Sequence, residues 1–110
     1  MQKSSLTALA REQLELARAS SSGRSASTVY GGHEHVLRQT LIALVGGRRL
    51  EEHANPGEAT VHVLLGRVSL QAGTDAWSGR TGDLLIVPET VHALEALEDS
   101  VVLLTVAKHR

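Results

Sequence analysis

The chain has 110 residues, 42% of them apolar, which is enough for one domain with a single core. Its formal net charge is −1 and it contains one Tyr and one Trp, so neither a basic face nor an aromatic platform for nucleic acid is expected. The sequence has no Cys, which excludes disulfides, thiolate metal sites and cysteine nucleophiles.

Residues 1–28 are predicted to form a helix followed by a linker. Residues 6–19 carry apolar side chains at helical spacing, Ser4 or Ser5 can cap the start, and Gly23 follows the end. The serine-rich segment Ser20–Ser27 is typical of a linker. A single amphipathic helix cannot form a core alone, so we expect it to pack on the main domain or on a second subunit. Its predicted inward face consists of Leu6, Leu9, Ala10, Gln13, Leu16 and Ala17.

Charged residues interrupt this N-terminal segment throughout. Arg11, Glu12, Glu15 and Arg18 break every apolar run, whereas a signal peptide or a membrane span needs an uninterrupted one. We therefore expect a cytoplasmic protein that does not enter a membrane.

Short apolar runs separated by Gly, Pro and Asp turns fill residues 29–110. The runs recur at intervals of roughly 8–12 residues without any long helical pattern among them. This spacing predicts that the second and main domain is an all-β sandwich or barrel. The predicted strands are Val36–Val45, Ala59–Leu65, Arg67–Ala72, Ala76–Arg80, Leu84–Val87, His92–Leu97 and Val101–Ala107.

Two segments of this domain carry a family pattern. Residues 53–68, HANPGEATVHVLLGRV, contain His and Glu before an apolar strand that ends in Gly66. Residues 82–92, GDLLIVPETVH, contain Gly-Asp, an apolar strand, Pro88 and then His92. Together they resemble the paired motifs of the cupin superfamily. The resemblance covers residues 36–107 and implies an all-β cupin-type barrel, a double-stranded β-helix or jelly roll, with one N-terminal α-helix.

The resemblance also implies where a metal would bind. In metal-binding cupins, two or three His and a Glu hold a divalent metal with open coordination positions, and such ligands suit Fe, Mn, Ni or Zn. Matching the motifs residue by residue makes His53 and His92 metal ligands. In the same register, Asn55 stands where the family has a second His, and Ala59 stands where it has the Glu.

A shifted register gives a different ligand set. In it His53 is the second His, Glu51 replaces the first, and Glu58 supplies the carboxylate. Glu58 is also a candidate general base beside His92, and its alternative is an exposed residue of the preceding turn. The candidate metal ligands are therefore His53, His92, Glu58 and Asn55, and the barrel is expected to bind one divalent transition metal or none.

Strand alternation indicates which other side chains face the interior. If Ala59 faces inward, Val61 and Val63 do so too, and His62 faces outward. One of Arg38 and Gln39 must also face inward, where it would anchor an anionic or carbonyl ligand. The candidate pocket residues are Gln39, Val61 and Val63.

Two further features are singled out, each with a less specific alternative. The segment His33-Glu34-His35 places two His on one side of an extended chain, where they would chelate a metal or simply be exposed. Trp77 is predicted to pack in the core or at an interface.

The predicted function is the binding of a small molecule in the barrel, through a divalent metal held by two His and a third ligand. One alternative is a metal-free, non-catalytic binding or sensor barrel, and the other is a metal-dependent oxygenase or isomerase. Small barrels with open strand edges tend to pair, so a homodimer is expected.

Overall fold

The computed structural model describes residues 2–53, 57–89 and 92–108, except for the side chains of Glu52 and His53. Within these residues the chain forms one helix and nine strands. In chain order they are α1 (Leu6–Ala19), β1 (Arg24–Tyr30), β2 (Leu37–Leu44), β3 (Arg49–His53), β4 (Gly57–Leu65), β5 (Arg67–Ala72), β6 (Asp75–Arg80), β7 (Leu84–Val87), β8 (His92–Ala96) and β9 (Ser100–Lys108).

The strands pair in an antiparallel manner and build two sheets. The five-stranded sheet has the order β1-β2-β9-β4-β7, and the four-stranded sheet has the order β3-β8-β5-β6. Their facing sides share one aliphatic core, to which Val63 and Val102 contribute from the first sheet and Leu70 and Leu94 from the second. Two antiparallel sheets around a common core are the jelly-roll arrangement that the two motifs imply.

Helix α1 begins with a serine cap. The Oγ of Ser5 accepts a hydrogen bond from the backbone N–H of Ala8 at 3.2 Å, which satisfies one of the free donors of the first turn. The predicted bounds of the helix are confirmed. No helix among the described residues has the length and apolar character needed to cross a membrane.

The buried face of α1 covers the outer side of the five-stranded sheet, where it forms a second apolar cluster with β2 and β9. The predicted face is wrong at two positions, because Leu14, which it omits, is buried and Leu16, which it includes, is 51% exposed. At about 100° per residue, Leu14 lies between Ala10 and Ala17 on the helix surface, in the centre of the buried stripe.

Two strands were not predicted from the sequence. Strand β1 begins within the serine-rich segment, so the boundary at residue 28 and the linker Ser20–Ser27 are both corrected. Ser25 and Ser27 face the helix on the same side as Val29, and the Oγ of Ser25 donates to Oε1 of Gln13. Small polar side chains thus fit beneath α1, and pairing with β2 outweighs their weak strand propensity. The second missed strand is β3, whose sequence RLEEH is mostly charged.

A polar contact ties the last turn of α1 to the body of the barrel. One carboxylate oxygen of Asp99 accepts from Arg18 Nε and the other from the backbone N–H of Gly46, both at 2.9 Å. The hydrogen bond from Gly46, together with that from Arg18, lowers the pKa of Asp99 below its ordinary value of 3.8.

The variant Asp99→Asn is expected to be less stable than the parent at pH 7, by less than about 1 kcal/mol because the ion pair is exposed. A carboxyl whose pKa is lowered by folding stabilises the folded state above its unfolded pKa, and this contribution is lost as the pH falls below 3.8 through the folded pKa. Urea unfolding at pH 7 and pH 3 checks this, since the difference in stability between the two proteins should be smaller at the lower pH. A pH-independent difference would contradict it.

Candidate functional site at the mouth of the barrel

The cross-strand register defines one end of the barrel. Residues 53 and 92 are partners in the β3–β8 ladder, and Gly57 and Lys108 are partners in the β4–β9 ladder. These positions lie at the same end of the barrel. The turns at the opposite end are marked by two backbone hydrogen bonds, from Gly47 N–H to the carbonyl of Ala96 and from Thr81 N–H to the carbonyl of Gly66. We call the end at residues 53, 57 and 92 the mouth.

His92 is the buried polar residue of the mouth, and its side chain is 5% exposed. It lies on the interior face of β8, because Leu94 and Ala96 at positions +2 and +4 belong to the barrel core. Its Cα partner across the ladder is His53, so the backbone brings the two motif His opposite one another. The side chain of His53 lies outside the described residues.

Arg38 is the second polar residue on the interior face at this end. It alternates with Thr40 and the core residue Ile42 along β2, and its cross-strand partner is the core residue Val106. The side chain is half-buried. No ion pair to Arg38 occurs within the described ranges.

Gln39 faces the opposite way, which corrects its prediction as a pocket residue. Its Nε2 donates to Oγ1 of Thr105 at 3.3 Å, and it lines a surface pocket beside α1 together with Tyr30 and Leu103. The sequence left Arg38 and Gln39 as alternatives, and the register assigns the interior to Arg38.

Ala59, which takes the place of the family's Glu in the unshifted register of the motif, faces the barrel interior. It is 6% exposed and lies between its partners Val87 and Val106 in the mouth layer. Its neighbour Glu58 points outward, because alternation places it on the face that carries Ala107. Glu58 is exposed there and lines an outer-surface pocket, so the prediction that it acts in the barrel beside His92 is corrected.

The layers beneath the mouth are aliphatic. Val61 lies one layer below Ala59 and Val63 two layers below, at 3% and 0% exposure. Both face the interior, as alternation predicts, and they form the floor of the site within the packed core. Asn55, the remaining candidate, lies outside the described residues.

The described donors do not fit a metal site. Among the side chains that the structure describes, no three of His, Cys, Asp or Glu are placed to hold one ion. A protein metal site normally needs at least three such ligands. His92 is the one motif ligand whose described side chain faces the interior.

The other singled-out residues lie away from the mouth interior. His62 is half-buried on the outer face of β4, between Leu84 and Leu103. The ring of His35 packs edge-on against Tyr30, with centroids 5.2 Å apart. Trp77 pairs with the core residue Leu70 yet remains 45% exposed, because β6 is an edge strand.

Comparison with solved structures confirms the barrel type. A conserved protein of unknown function from Streptococcus pyogenes aligns with a TM-score of 0.73 at 25% identity, over 83% of this chain and 79% of that one. A cupin superfamily protein from Desulfitobacterium hafniense gives 0.72 at 15% identity over 78% of each chain. An RmlC-like cupin from Desulfovibrio desulfuricans gives 0.67 at 24% identity, over 76% of this chain and 81% of that one. The chain therefore has the cupin fold. No protein-family model and no curated protein matches the sequence.

Proposed function

We propose that the protein is a metal-independent binding barrel that holds a small organic anion, such as a carboxylate, at its mouth. The observation that carries this proposal is that buried His92 on β8 and half-buried Arg38 on β2 both lie on interior faces at the mouth end of the barrel, above an aliphatic floor. Ligand pockets commonly combine apolar walls with a few convergent polar groups.

The charge of Arg38 favours an anionic ligand. A guanidinium remains charged at all physiological pH values, and a partly buried charge is favoured when it has a counter-charge. The described residues provide no carboxylate partner for Arg38, and Ala59 removes the one that the family motif would have offered nearby. A ligand carboxylate can accept two parallel hydrogen bonds from a guanidinium and a further one from imidazole.

Arg38→Gln is expected to weaken carboxylate binding by about tenfold to a hundredfold, because a charge-assisted hydrogen bond contributes roughly 1.5–3 kcal/mol. His92→Gln should weaken it by about tenfold. The probes are acetate, benzoate, succinate and 2-oxoglutarate, with binding followed by amide shifts of Ala59, Val87 and Val106 in NMR spectra.

The matched control is Arg67→Gln, which removes one exposed Arg of β5 outside the mouth. It should bind the same probes as the parent does. Equal weakening by the control, or amide shifts that avoid the mouth, would contradict the proposal.

The metal alternative is supported by the cross-strand placement of His53 and His92, and metal content decides it. Mass spectrometry of untagged protein after incubation with Fe(II), Mn, Ni or Zn is expected to find no stoichiometric ion. About one metal per chain that disappears in both His53→Ala and His92→Ala would overturn the metal-independent proposal and favour an oxygenase or isomerase.

We also propose a homodimer formed through β7. This strand is one edge of the five-stranded sheet and exposes Leu84 at 58% and Ile86 at 70% on its outer side. An open apolar edge is favourable for pairing with an identical edge. Ile86→Glu is expected to convert a dimer to a monomer in light scattering, whereas Leu97→Glu, an exposed leucine outside β7, should not. A monomeric parent would contradict this.

A further inference from the structure

A basic pocket lies at the seam between the two sheets. Strand β1 is one edge of the five-stranded sheet and β3 is an edge of the four-stranded sheet. The turn between β3 and β2, the neighbour of β1, lies at the end of the barrel opposite His92. The pocket has a volume of about 390 Å³ and is lined by Ser22, Arg24, Gly47, Arg48, Arg49 and Glu51.

The lining has an excess of positive charge. Among the lining residues that the structure describes, three Arg and one Glu give a net charge of +2. Arg67 and Arg80 are also adjacent, as cross-strand partners on β5 and β6, but they do not line this pocket. The seam therefore differs from an ordinary pair of surface arginines, since three Arg, from β1, β3 and the turn before β3, border one concavity.

The backbone positions one of these arginines. Gly23 has φ +68°, and a Cβ added to it would lie 2.7 Å from Nε and 2.8 Å from Cγ of Arg48. The stem of Arg48 thus rests directly on the Gly23 backbone, in space that a side chain would fill. This packing restricts the Arg48 side chain to the rim of the pocket.

A second arginine has a buried donor without an acceptor. Within the described part of the chain, Nε of Arg49 is buried and makes no hydrogen bond. Oε2 of Glu51 lies 3.8 Å from it, beyond hydrogen-bond distance. Because Nε is closed to solvent while the side chain as a whole is 35% exposed, a ligand in the pocket meets the exposed part of the Arg49 side chain rather than Nε.

We propose that this pocket binds a phosphate group, either free phosphate or the phosphate of a small monoester. A phosphate group carries about −1.5 to −2 charges at pH 7, which matches the lining. Its oxygens accept hydrogen bonds from guanidinium forks, the arrangement for which Arg is preferred. The guanidinium groups of Arg24, Arg48 and Arg49, which line the pocket, supply the donors for these oxygens. The site is separate from the mouth and does not depend on the function proposed for it.

The test is titration with inorganic phosphate and with glycerol 3-phosphate at constant ionic strength, followed by calorimetry and amide NMR. Saturable binding with shifts at Ser22, Arg24 and Gly47 is expected. Arg24→Gln/Arg49→Gln should weaken binding by at least about tenfold, because two charged donors are lost. Arg67→Gln/Arg80→Gln removes the same charge elsewhere and should leave binding within about twofold of the parent.

Arg49→Lys separates hydrogen bonding from charge, because it keeps the charge and removes the guanidinium fork. It should give an intermediate loss, in a protein whose amide spectrum remains dispersed. Equal binding of both probes supports free phosphate as the ligand, and tighter binding of the ester supports a phosphorylated metabolite. Absence of saturable binding, or an equal loss in the Arg67→Gln/Arg80→Gln control, would overturn the proposal.

Discussion

Replacing Gly66 with alanine is expected to destabilise the protein by about 2–5 kcal/mol. Gly66 has φ +87°, a conformation that costs a residue with a Cβ roughly 1–2 kcal/mol. The added Cβ would also overlap the carbonyl oxygen of Asp99 and the Oγ of Ser100. Ser100 is 1% exposed and its Oγ accepts from the N–H of Arg67, so it cannot move without breaking buried hydrogen bonds. Overpacking of this kind adds roughly 1–3 kcal/mol. Chemical unfolding measures the total.

Gly82→Ala is the matched control for this prediction. Gly82 has a similar φ of +94°, but a Cβ there would meet nothing within 4 Å. The Gly82→Ala variant should therefore lose only the stability that a positive φ costs a residue with a Cβ, about 1–2 kcal/mol. Equal losses for the two variants would show that the close approach at Gly66 contributes nothing.

Leu70→Ala is expected to cost about 2–5 kcal/mol, the range for truncating a fully buried Leu. Leu70 is 1% exposed and lies in the layer directly beneath the mouth, where it pairs with Leu94 on one side and Trp77 on the other. The neighbouring sheets are fixed by their ladders, so the structure cannot collapse fully into the space left behind. The measurement is urea unfolding, whose midpoint and slope together give the free energy of unfolding.

Leu84→Ala makes the same chemical change at a site that is 58% exposed, on the outer side of β7. In the monomeric state it should alter stability by less than about 0.5 kcal/mol. If Leu70→Ala were as mild as this control, the interior between the sheets would not be packed as described.

The sequence predicted the strands whose apolar character shows clearly, and it failed where burial depends on partners distant in sequence. β1 was assigned to a linker because its serines have no apolar period, and they are half-buried beneath the helix. β3 was missed because its exposed edge carries charged side chains such as Arg49 and Glu51. Its assignment depends on pairing with β8, which a local pattern does not contain.

The candidate site was predictable in part. Pro88 and the glycine turns placed His92 at the start of a strand, and alternation along β4 placed Val61 and Val63 inside. The choice between Arg38 and Gln39 could not be made, because both faces of β2 are buried. Ile42 faces the barrel core and Leu41 faces the helix, so the strand reads as a continuous apolar run with no visible inner side. The seam pocket was also not predictable, since its arginines come from edges of different sheets.

The position of β9 bears on how the chain can fold during synthesis. This strand follows β2 and β4 in the sequence, yet it lies between them at the centre of the five-stranded sheet. Until it leaves the ribosome, the hairpin β1–β2 with its helix and the pair β4–β7 are two fragments with unpaired edges. Their joining requires contacts between residues far apart in sequence, which are slow to form and leave edges exposed to aggregation meanwhile. The docking of β9 is therefore expected to be a late step in folding.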